Sequence, residues 1–299
     1  MSALLKPLTE SISMLIMLLF LFLLIVIIEG VAKQSKQFLS TIFLFLILVI
    51  VTKHLVEAFT LMKDLASMFS HFFLGFIPLV STVLVIVQSV ISFVAWSPAI
   101  VFVLQLLVYV CDKLLIPSLF TALVFDVCTR LYPQVSFLKI AELIRKTVFS
   151  IIAASILLLS SILTFSSVAF FSIQETLSTP LKKVIEQNVP IIGSLLVEGM
   201  SLLKNFQSTA TTITGFTTIT ALVLMSFYPA ATLLIKAFTF KLAGAIAEPF
   251  VDSRISQLLD DIGKTLFILC AIGLVLAIGF IVIWLILFFI VQIGTGKSL

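Results

Sequence analysis

Residues 266–293 read LFILCAIGLVLAIGFIVIWLILFFIVQI, an unbroken apolar stretch that contains no Asp, Glu, Lys or Arg. A helix of roughly 20 apolar residues spans the hydrocarbon core of a bilayer, so this stretch is long enough to cross one. Residues 12–28 and 148–171 are equally free of charge. A transmembrane barrel would show alternating apolar and polar residues, whereas these runs are continuous. The sequence therefore predicts α-helices that cross a membrane.

The composition extends this prediction to the whole chain. Of the 299 residues, 61% are apolar and 11% are charged, against about half and a quarter in soluble domains. We therefore expect one integral membrane domain over 1–299, an all-α bundle of about six or seven spans with short connections. The net charge of +4 is spread over short loops. It indicates membrane orientation rather than nucleic-acid binding, so the bilayer is a predicted partner and nucleic acid is not.

Spans and interfacial segments alternate along the chain. The run 12–28 is expected to be a retained span, because it ends at Glu29-Gly30 without a signal-peptide cleavage pattern. Residues 99–127 are predicted to form either a broken helix or a tight hairpin, and the topology of 206–247 is left open. The other predicted spans are 38–52, 72–96, 148–171 and 266–293. The predicted interfacial amphipathic segments are 53–71, 130–146 and 248–264.

A few polar residues stand inside apolar sequence and are candidates for a pathway or a helix break. Asp112 and Lys113 interrupt 99–127 together with Pro117, and Lys236 and Lys241 lie within 206–247. Ionisable residues inside a membrane are costly and are by default functional. The alternative is that Asp112 and Lys113 mark a turn at the water interface and that the lysines extend their ammonium groups toward it.

Motifs for enzymatic chemistry are missing from the sequence. It contains no HExxH, no GxSxG and no His, Cys and Asp set with metal-ligand spacing. Gly294 to Ser298 imitates the end of a phosphate-binding loop, but no predicted strand precedes it, so a positively charged tail explains it. We therefore expect no enzyme, no cofactor and no metal. The cysteines are interpreted as small apolar residues; they are Cys111, Cys128 and Cys270.

Two parts of the chain, 72–171 and 189–293, share an order of features. Each has X-Pro steps followed by an amphipathic stretch that ends in a basic residue, Thr, an aliphatic residue and Phe. If each part held an odd number of spans, the two would be inverted repeats, and Pro117, Glu248 and Pro249 would mark broken helices around a pathway. Prolines also recur in any membrane protein with several spans. Duplication and chance recurrence therefore both remain open.

At residues 241–249 the sequence reads KLAGAIAEP and continues through Ile255-Ser256 and Leu258-Leu259 to Lys264. With the other motifs, in order, this stretch resembles the stage III sporulation protein AE family of endospore-forming bacteria, over nearly the whole chain. Those other motifs are Phe76-Ile77-Pro78-Leu79, Pro98-Ala99-Ile100-Val101, Leu115-Ile116-Pro117, residues 138–145, Val189-Pro190-Ile191-Ile192-Gly193-Ser194, Leu202-Leu203-Lys204-Asn205 and Tyr228-Pro229-Ala230.

The resemblance implies a transmembrane subunit of the channel complex that connects the mother cell and the forespore. It also implies a place in the mother-cell membrane around the forespore, with other membrane proteins of that complex as partners. Family members usually begin with a cleaved signal peptide and a polar segment, and neither precedes residue 12 here. The family supplies no catalytic residues to carry over.

Two other functions remain open from the residues themselves. A self-sufficient secondary transporter would use helices broken by proline and Asp112 to couple an ion to a solute. A structural anchor would tolerate changes at Asp112, Lys241 and Pro249. For a subunit of the channel complex, the amphipathic segments near Leu55, Leu138 and Leu258 would offer surfaces for partners or lipid headgroups.

Overall fold

The computed structural model describes residues 2–31, 36–86, 103, 105–177 and 192–294. These residues form six α-helices and one π-helical turn, and no strand occurs among them. The predicted all-helical class is therefore confirmed. The helices are α1 (Ser2–Val31), α2 (Lys36–Ile86), α3 (Ile116–Leu131), α4 (Leu138–Leu177), α5 (Ile192–Ala247) and α6 (Ser253–Gly294), and the π-helical turn is Val110–Leu115.

Five helical stretches within the described residues are long and apolar enough to cross a membrane. The total of about six or seven spans stays a prediction, because part of the run 72–96 lies outside the described residues. So do the Ser97-Pro98 motif, Val189-Pro190 and the tail after Gly294. The five stretches are Lys6–Ile28, Phe38–Phe72, Gln105–Leu131, Thr220–Ala247 and Ser253–Ile281.

The segment 53–71 has the predicted inward face but not the predicted boundaries. Leu55, Phe59, Met62 and Leu65 are all buried, as their helical spacing requires. The segment is nevertheless not a separate helix, because α2 runs through it without interruption. No proline or glycine stands between 52 and 71 to end the helix.

Residues 105–131 form one helical stretch, so the alternative of a tight hairpin is wrong for them. The π-helical turn widens the helix where Asp112 and Lys113 lie, and the Ile116 N–H donates to the carbonyl oxygen of Cys111. Pro117 follows in the first turn of α3. Proline has no N–H to continue an α-helical ladder, so a locally wider turn accommodates it without breaking the helix.

The chain divides into two compact units. The first contains residues 1–69, 107–153 and 225–276, and the second contains 70–106, 154–224 and 277–299. The core of the first unit is aliphatic and aromatic, and all described residues of the second are helical. The proposed duplication of 72–171 and 189–293 includes residues outside the described ranges and stays a prediction. The largest fully buried side chains of the first unit include Leu18, Ile47, Met62, Leu119, Leu233 and Phe240.

The α5–α6 hairpin in the first unit is packed through glycine. A Cβ on Gly244 would lie 3.0 Å from the Ser256 carbonyl oxygen, and a Cβ on Gly263 would lie 3.1 Å from that of Ala237. The Ser256 hydroxyl donates to the Gly244 carbonyl oxygen at 3.0 Å. Small residues let helix backbones approach closely in membranes, and this explains the glycines of the 241–264 motif.

The hairpin turn is fixed by Asp252, which caps the start of α6. Its carboxylate accepts the Arg254 backbone N–H at 3.1 Å and the Ser40 hydroxyl of α2 at 2.7 Å. Burial by itself would raise the pKa of Asp252, but these hydrogen bonds outweigh it and hold that pKa below its ordinary value. The capping carboxylate therefore ties α2 to the turn between α5 and α6.

Candidate functional site: a buried arginine–aspartate network

The loop between α3 and α4 sets the position of the network. The Phe137 N–H donates to the Thr129 hydroxyl at 3.0 Å, and that hydroxyl donates to the Phe125 carbonyl oxygen at 2.8 Å. The rings of Phe125 and Phe137 stack with centroids 5.5 Å apart. These contacts place the start of α4 against the end of α3, so Arg145 faces Asp126.

Arg145 makes the central contacts of the network. Its guanidinium forms a salt bridge with Asp126, whose side chain is 1% exposed. The Arg145 Nη2 atom also donates to the Thr265 hydroxyl at 3.0 Å and to the Asp261 carbonyl oxygen at 3.4 Å. Thr265 itself is fully buried. Arg145 therefore joins α3, α4 and α6.

Arg130 forms the second link, from the end of α3 to α6. Its Nη2 atom lies 2.8 Å from Asp261 Oδ2, and its Nη1 atom donates to the side-chain carbonyl of Gln257. Lys264 lies 3.3 Å from the other Asp261 oxygen and 2.7 Å from Asp260.

The charges of the network balance within the protein. Arg130 and Arg145 face Asp126 and Asp261, so two nearly buried cations meet two buried anions. Removal of a charge from water is expensive, and only close partners with additional hydrogen bonds offset the cost. The network therefore stabilises the junction of three helices as a set and loses this effect when one member is removed.

A second ion pair joins α2 to α5. Lys236 Nζ lies 3.0 Å from Glu57 Oε2, and the Lys236 side chain is 5% exposed. His54 lies one helical turn before Glu57, with Nδ1 3.7 Å from the same carboxylate oxygen. Both helices belong to the membrane-length stretches. An ionisable set of this kind inside spans is a functional-site candidate with its partners named.

The predicted pathway residues of 99–127 lie on or beside the π-helical turn, where they pair with each other. Lys113 Nζ is 2.9 Å from Asp112 Oδ2, and the Lys113 side chain is 66% exposed. Pro117 is exposed, and its carbonyl oxygen accepts the Thr121 hydroxyl at 2.9 Å. Their role as a pathway stays a prediction.

The remaining candidates for a pathway or a helix break lie at the α5–α6 hairpin; they are Lys241, Glu248 and Pro249. Lys241 Nζ is 3.9 Å from Asp260, and its side-chain stem packs against Gly263. The Glu248 N–H donates to the Gly244 carbonyl oxygen at 3.1 Å and ends α5. Pro249 is exposed in the turn between the helices, so it does not break one. No contact between these residues and the Asp112–Lys113 pair is found within the described part of the chain.

Sequence reasoning did not identify the network as a site. It placed Arg130 and Arg145 in the interfacial amphipathic segment 130–146 and gave no role to Asp126 or Asp261. The available signal was Asp126 itself, an acidic residue inside the apolar stretch that ends at Val127. No group of three His, Cys, Asp or Glu side chains that could hold a metal ion is found among the residues described here.

The fold and the buried network define an all-helical membrane protein with several membrane-length helices. The chain belongs to the stage III sporulation protein AE family, whose model matches residues 1–292. The predicted resemblance is thereby confirmed. This chain is 21% identical over 208 residues to stage III sporulation protein AE of Bacillus subtilis (strain 168). The match covers 69% of this chain and 52% of that protein. The chain thus spans about half the length of this relative. No solved structure matches.

Proposed function

We propose that this protein is a transmembrane subunit of the channel complex between mother cell and forespore, required for endospore formation. Family membership over residues 1–292 supports a role in sporulation. The proposed location is the mother-cell membrane around the forespore, and the proposed partners are other membrane proteins of the same complex.

The observation that carries this proposal is the contrast between the interior and the surface of the first unit. The buried charges are balanced inside it, whereas large apolar side chains point outward from α1 and α2. Exposed apolar surface of this extent is stable only against lipid or other helices. A subunit that assembles in a membrane needs such a surface. Exposed side chains there include Phe20, Phe38, Val31 and Val49.

The proposal is tested in a spore-forming host whose own gene for this protein has been deleted. Sporulation is expected to arrest after engulfment and to recover when the gene is returned. A tagged copy, extracted in mild detergent from sporulating cells, is expected to migrate as a large assembly and to label the membrane around the forespore. Normal spore yield in the deletion strain, or migration as a lone subunit throughout sporulation, would reject the proposal.

A secondary transporter is the second candidate function, and the ion pair of Glu57 and Lys236 beside His54 favours it. Charged groups inside spans are common in ion-coupled transport. In that case the purified protein alone would move a solute or protons across vesicles, and Glu57→Gln would abolish the movement. A subunit of a complex is expected to be inert until its partners are added, so the same vesicles separate the two functions.

A structural anchor is separated from both by variants with intact folding. If the protein only anchors a complex, Asp112→Asn, Lys241→Met and Pro249→Ala leave spore yield unchanged. Substitutions on the exposed face of α1 would then abolish assembly. For a conduit subunit, we expect at least one of the three variants to lower spore yield while the complex still assembles.

A further inference from the structure

A surface cleft on the first turns of α4 has the chemistry of an anion site. It is open to its surroundings, has a volume of about 420 Å³ and is lined by residues on one face of the helix. Two cations and two hydroxyls outnumber one carboxylate there, so the cleft has a net positive charge and several donors. Its lining residues are Lys139, Glu142, Leu143, Lys146, Thr147 and Ser150.

Several donors in the cleft are free. Lys139, Thr147 and Ser150 have no hydrogen-bond or ion-pair partner among the described residues. Hydroxyls elsewhere usually bond the carbonyl oxygen one turn earlier, as Ser161 does on the same helix at 2.8 Å. The Thr147 and Ser150 hydroxyls are therefore available to an acceptor in the cleft.

The remaining cation is held in place by its neighbour. Lys146 Nζ lies 2.9 Å from Glu142 Oε1, and both side chains are exposed. This contact lowers the pKa of Glu142 and keeps it ionised. Glu142 offsets one of the two lysine charges, so the cleft keeps a net positive charge, and Lys139 lies one helical turn before Glu142.

The cleft lies where α4 changes from polar to apolar sequence. Lys146 is the last charge before the uncharged run 148–171, and the exposed Phe149 follows directly. In a helix that enters a bilayer, this position is at the level of the headgroups, where basic side chains meet anionic lipids. An acyl chain of such a lipid would lie along the apolar residues that follow.

We propose that this cleft binds the phosphate headgroup of an anionic phospholipid, with charge from Lys139 and Lys146 and O–H donors from Thr147 and Ser150. The proposal depends on α4 entering a membrane, but it does not depend on membership of a sporulation complex. Its failure is therefore distinguishable from failure of the proposed function.

The test uses the purified full chain in detergent with added lipid, and native mass spectrometry counts the lipids retained. Phosphatidylglycerol is expected to be retained more strongly than phosphatidylcholine, by about fivefold for each lysine that reaches the headgroup. Lys139→Gln/Lys146→Gln should reduce retention of phosphatidylglycerol to that of phosphatidylcholine. Glu142→Gln should increase it, because the variant removes the anion from the cleft.

Two further variants distinguish specific binding in the cleft from nonspecific electrostatic attraction of anionic lipid to exposed lysines. Thr147→Val/Ser150→Ala keeps the charge and should still weaken retention several-fold. Lys53→Gln/Lys63→Gln removes two exposed lysines of α2 and should change nothing. The proposal would be overturned if Lys53→Gln/Lys63→Gln reduced retention of phosphatidylglycerol as much as Lys139→Gln/Lys146→Gln. It would also be overturned if retention did not fall in Lys139→Gln/Lys146→Gln or in Thr147→Val/Ser150→Ala.

Two competitors identify the occupant. Soluble glycerol phosphate at the lipid concentration is expected to leave the lipid bound, since it lacks acyl chains. Displacement by it would show a site for free phosphate rather than for a lipid. Stronger binding of a poly-glutamate peptide than of phosphatidylglycerol would instead indicate an acidic protein partner, and this too would overturn the proposal.

Discussion

The arginine–aspartate network and the Asp112–Lys113 pair each include an aspartate that stands in apolar sequence, but they differ in partners and in burial. Arg145 and Asp126 lie 19 positions apart, are nearly buried and connect helices. Asp112 and Lys113 are neighbours in sequence, and Lys113 is largely exposed. An exposed ion pair on one helical turn contributes little to the free energy of unfolding. Loss of one member of a buried set costs much more, because it leaves the partner's charge buried and unpaired. Burial, and not the presence of charge, therefore decides which pair the fold depends on.

The largest effect is expected from Arg145→Ala, which leaves Asp126 buried without its cation. The free energy of unfolding should fall by about 3–5 kcal/mol, measured by denaturant titration in mixed micelles. Lys146→Ala, at the exposed neighbouring position, is the matched control and should have no measurable effect. The double variant Asp126→Leu/Arg145→Met should lose much less than the sum of the two single variants. Strictly additive losses would contradict the assignment.

Gly263→Ala tests the close packing of α5 on α6 beneath the network. The new Cβ would lie 3.1 Å from the Ala237 carbonyl oxygen and 3.2 Å from the Lys241 nitrogen, so backbone has to move. We expect a net loss of about 1–2 kcal/mol, because overpacking outweighs the better helix propensity of alanine. Gly30→Ala is the control, since nothing lies within 4 Å of its added Cβ. An unchanged melting temperature in Gly263→Ala would disprove the close contact.

Asp252 is expected to make stability depend on acidic pH. Its folded-state pKa is held below the ordinary value, so its contribution is complete above about pH 4 and is lost as the pH falls through the folded-state value. Asp252→Ala should cost about 1 kcal/mol at neutral pH, because the cap of α6 is lost. Asp252→Asn keeps a capping oxygen and should remove the part of the acid dependence that the Asp252 carboxylate contributes. Identical acid curves for Asp252→Asn and the parent would refute this role.

The smallest effect is expected from Asp112→Asn on the π-helical turn. Because Lys113 is exposed and stays solvated without its partner, the unfolding curve should be indistinguishable from that of the parent. Spore yield should be measured in the same variant, because it separates a functional role of the Asp112–Lys113 pair from a structural one. Loss of spore yield with unchanged stability would assign Asp112 a role in a pathway, which the sequence predicts and the fold does not require.

Periodicity and hydropathy were sufficient to predict the helical class and the buried face of 53–71. They were not sufficient to predict where helices end, since α2 continues through that segment and 105–131 contains no hairpin turn. Helix boundaries depend on capping and on neighbouring helices as much as on local composition. A charged segment looks interfacial in sequence whether its charges face water or a partner. For this reason, the ion pair of Glu57 with Lys236 was not predicted.

The sequence by itself determined that this chain is helical, that it carries membrane-length apolar runs and that it has the ordered motifs of its family. These properties are local, because they follow from transfer of each run from water to lipid and from backbone hydrogen bonds inside each helix. Only the tertiary structure decided that Arg145 meets Asp126 and Thr265, and that Gly263 lies against α5. Such contacts join residues far apart in the chain, and their free energy depends on burial that no single segment creates alone.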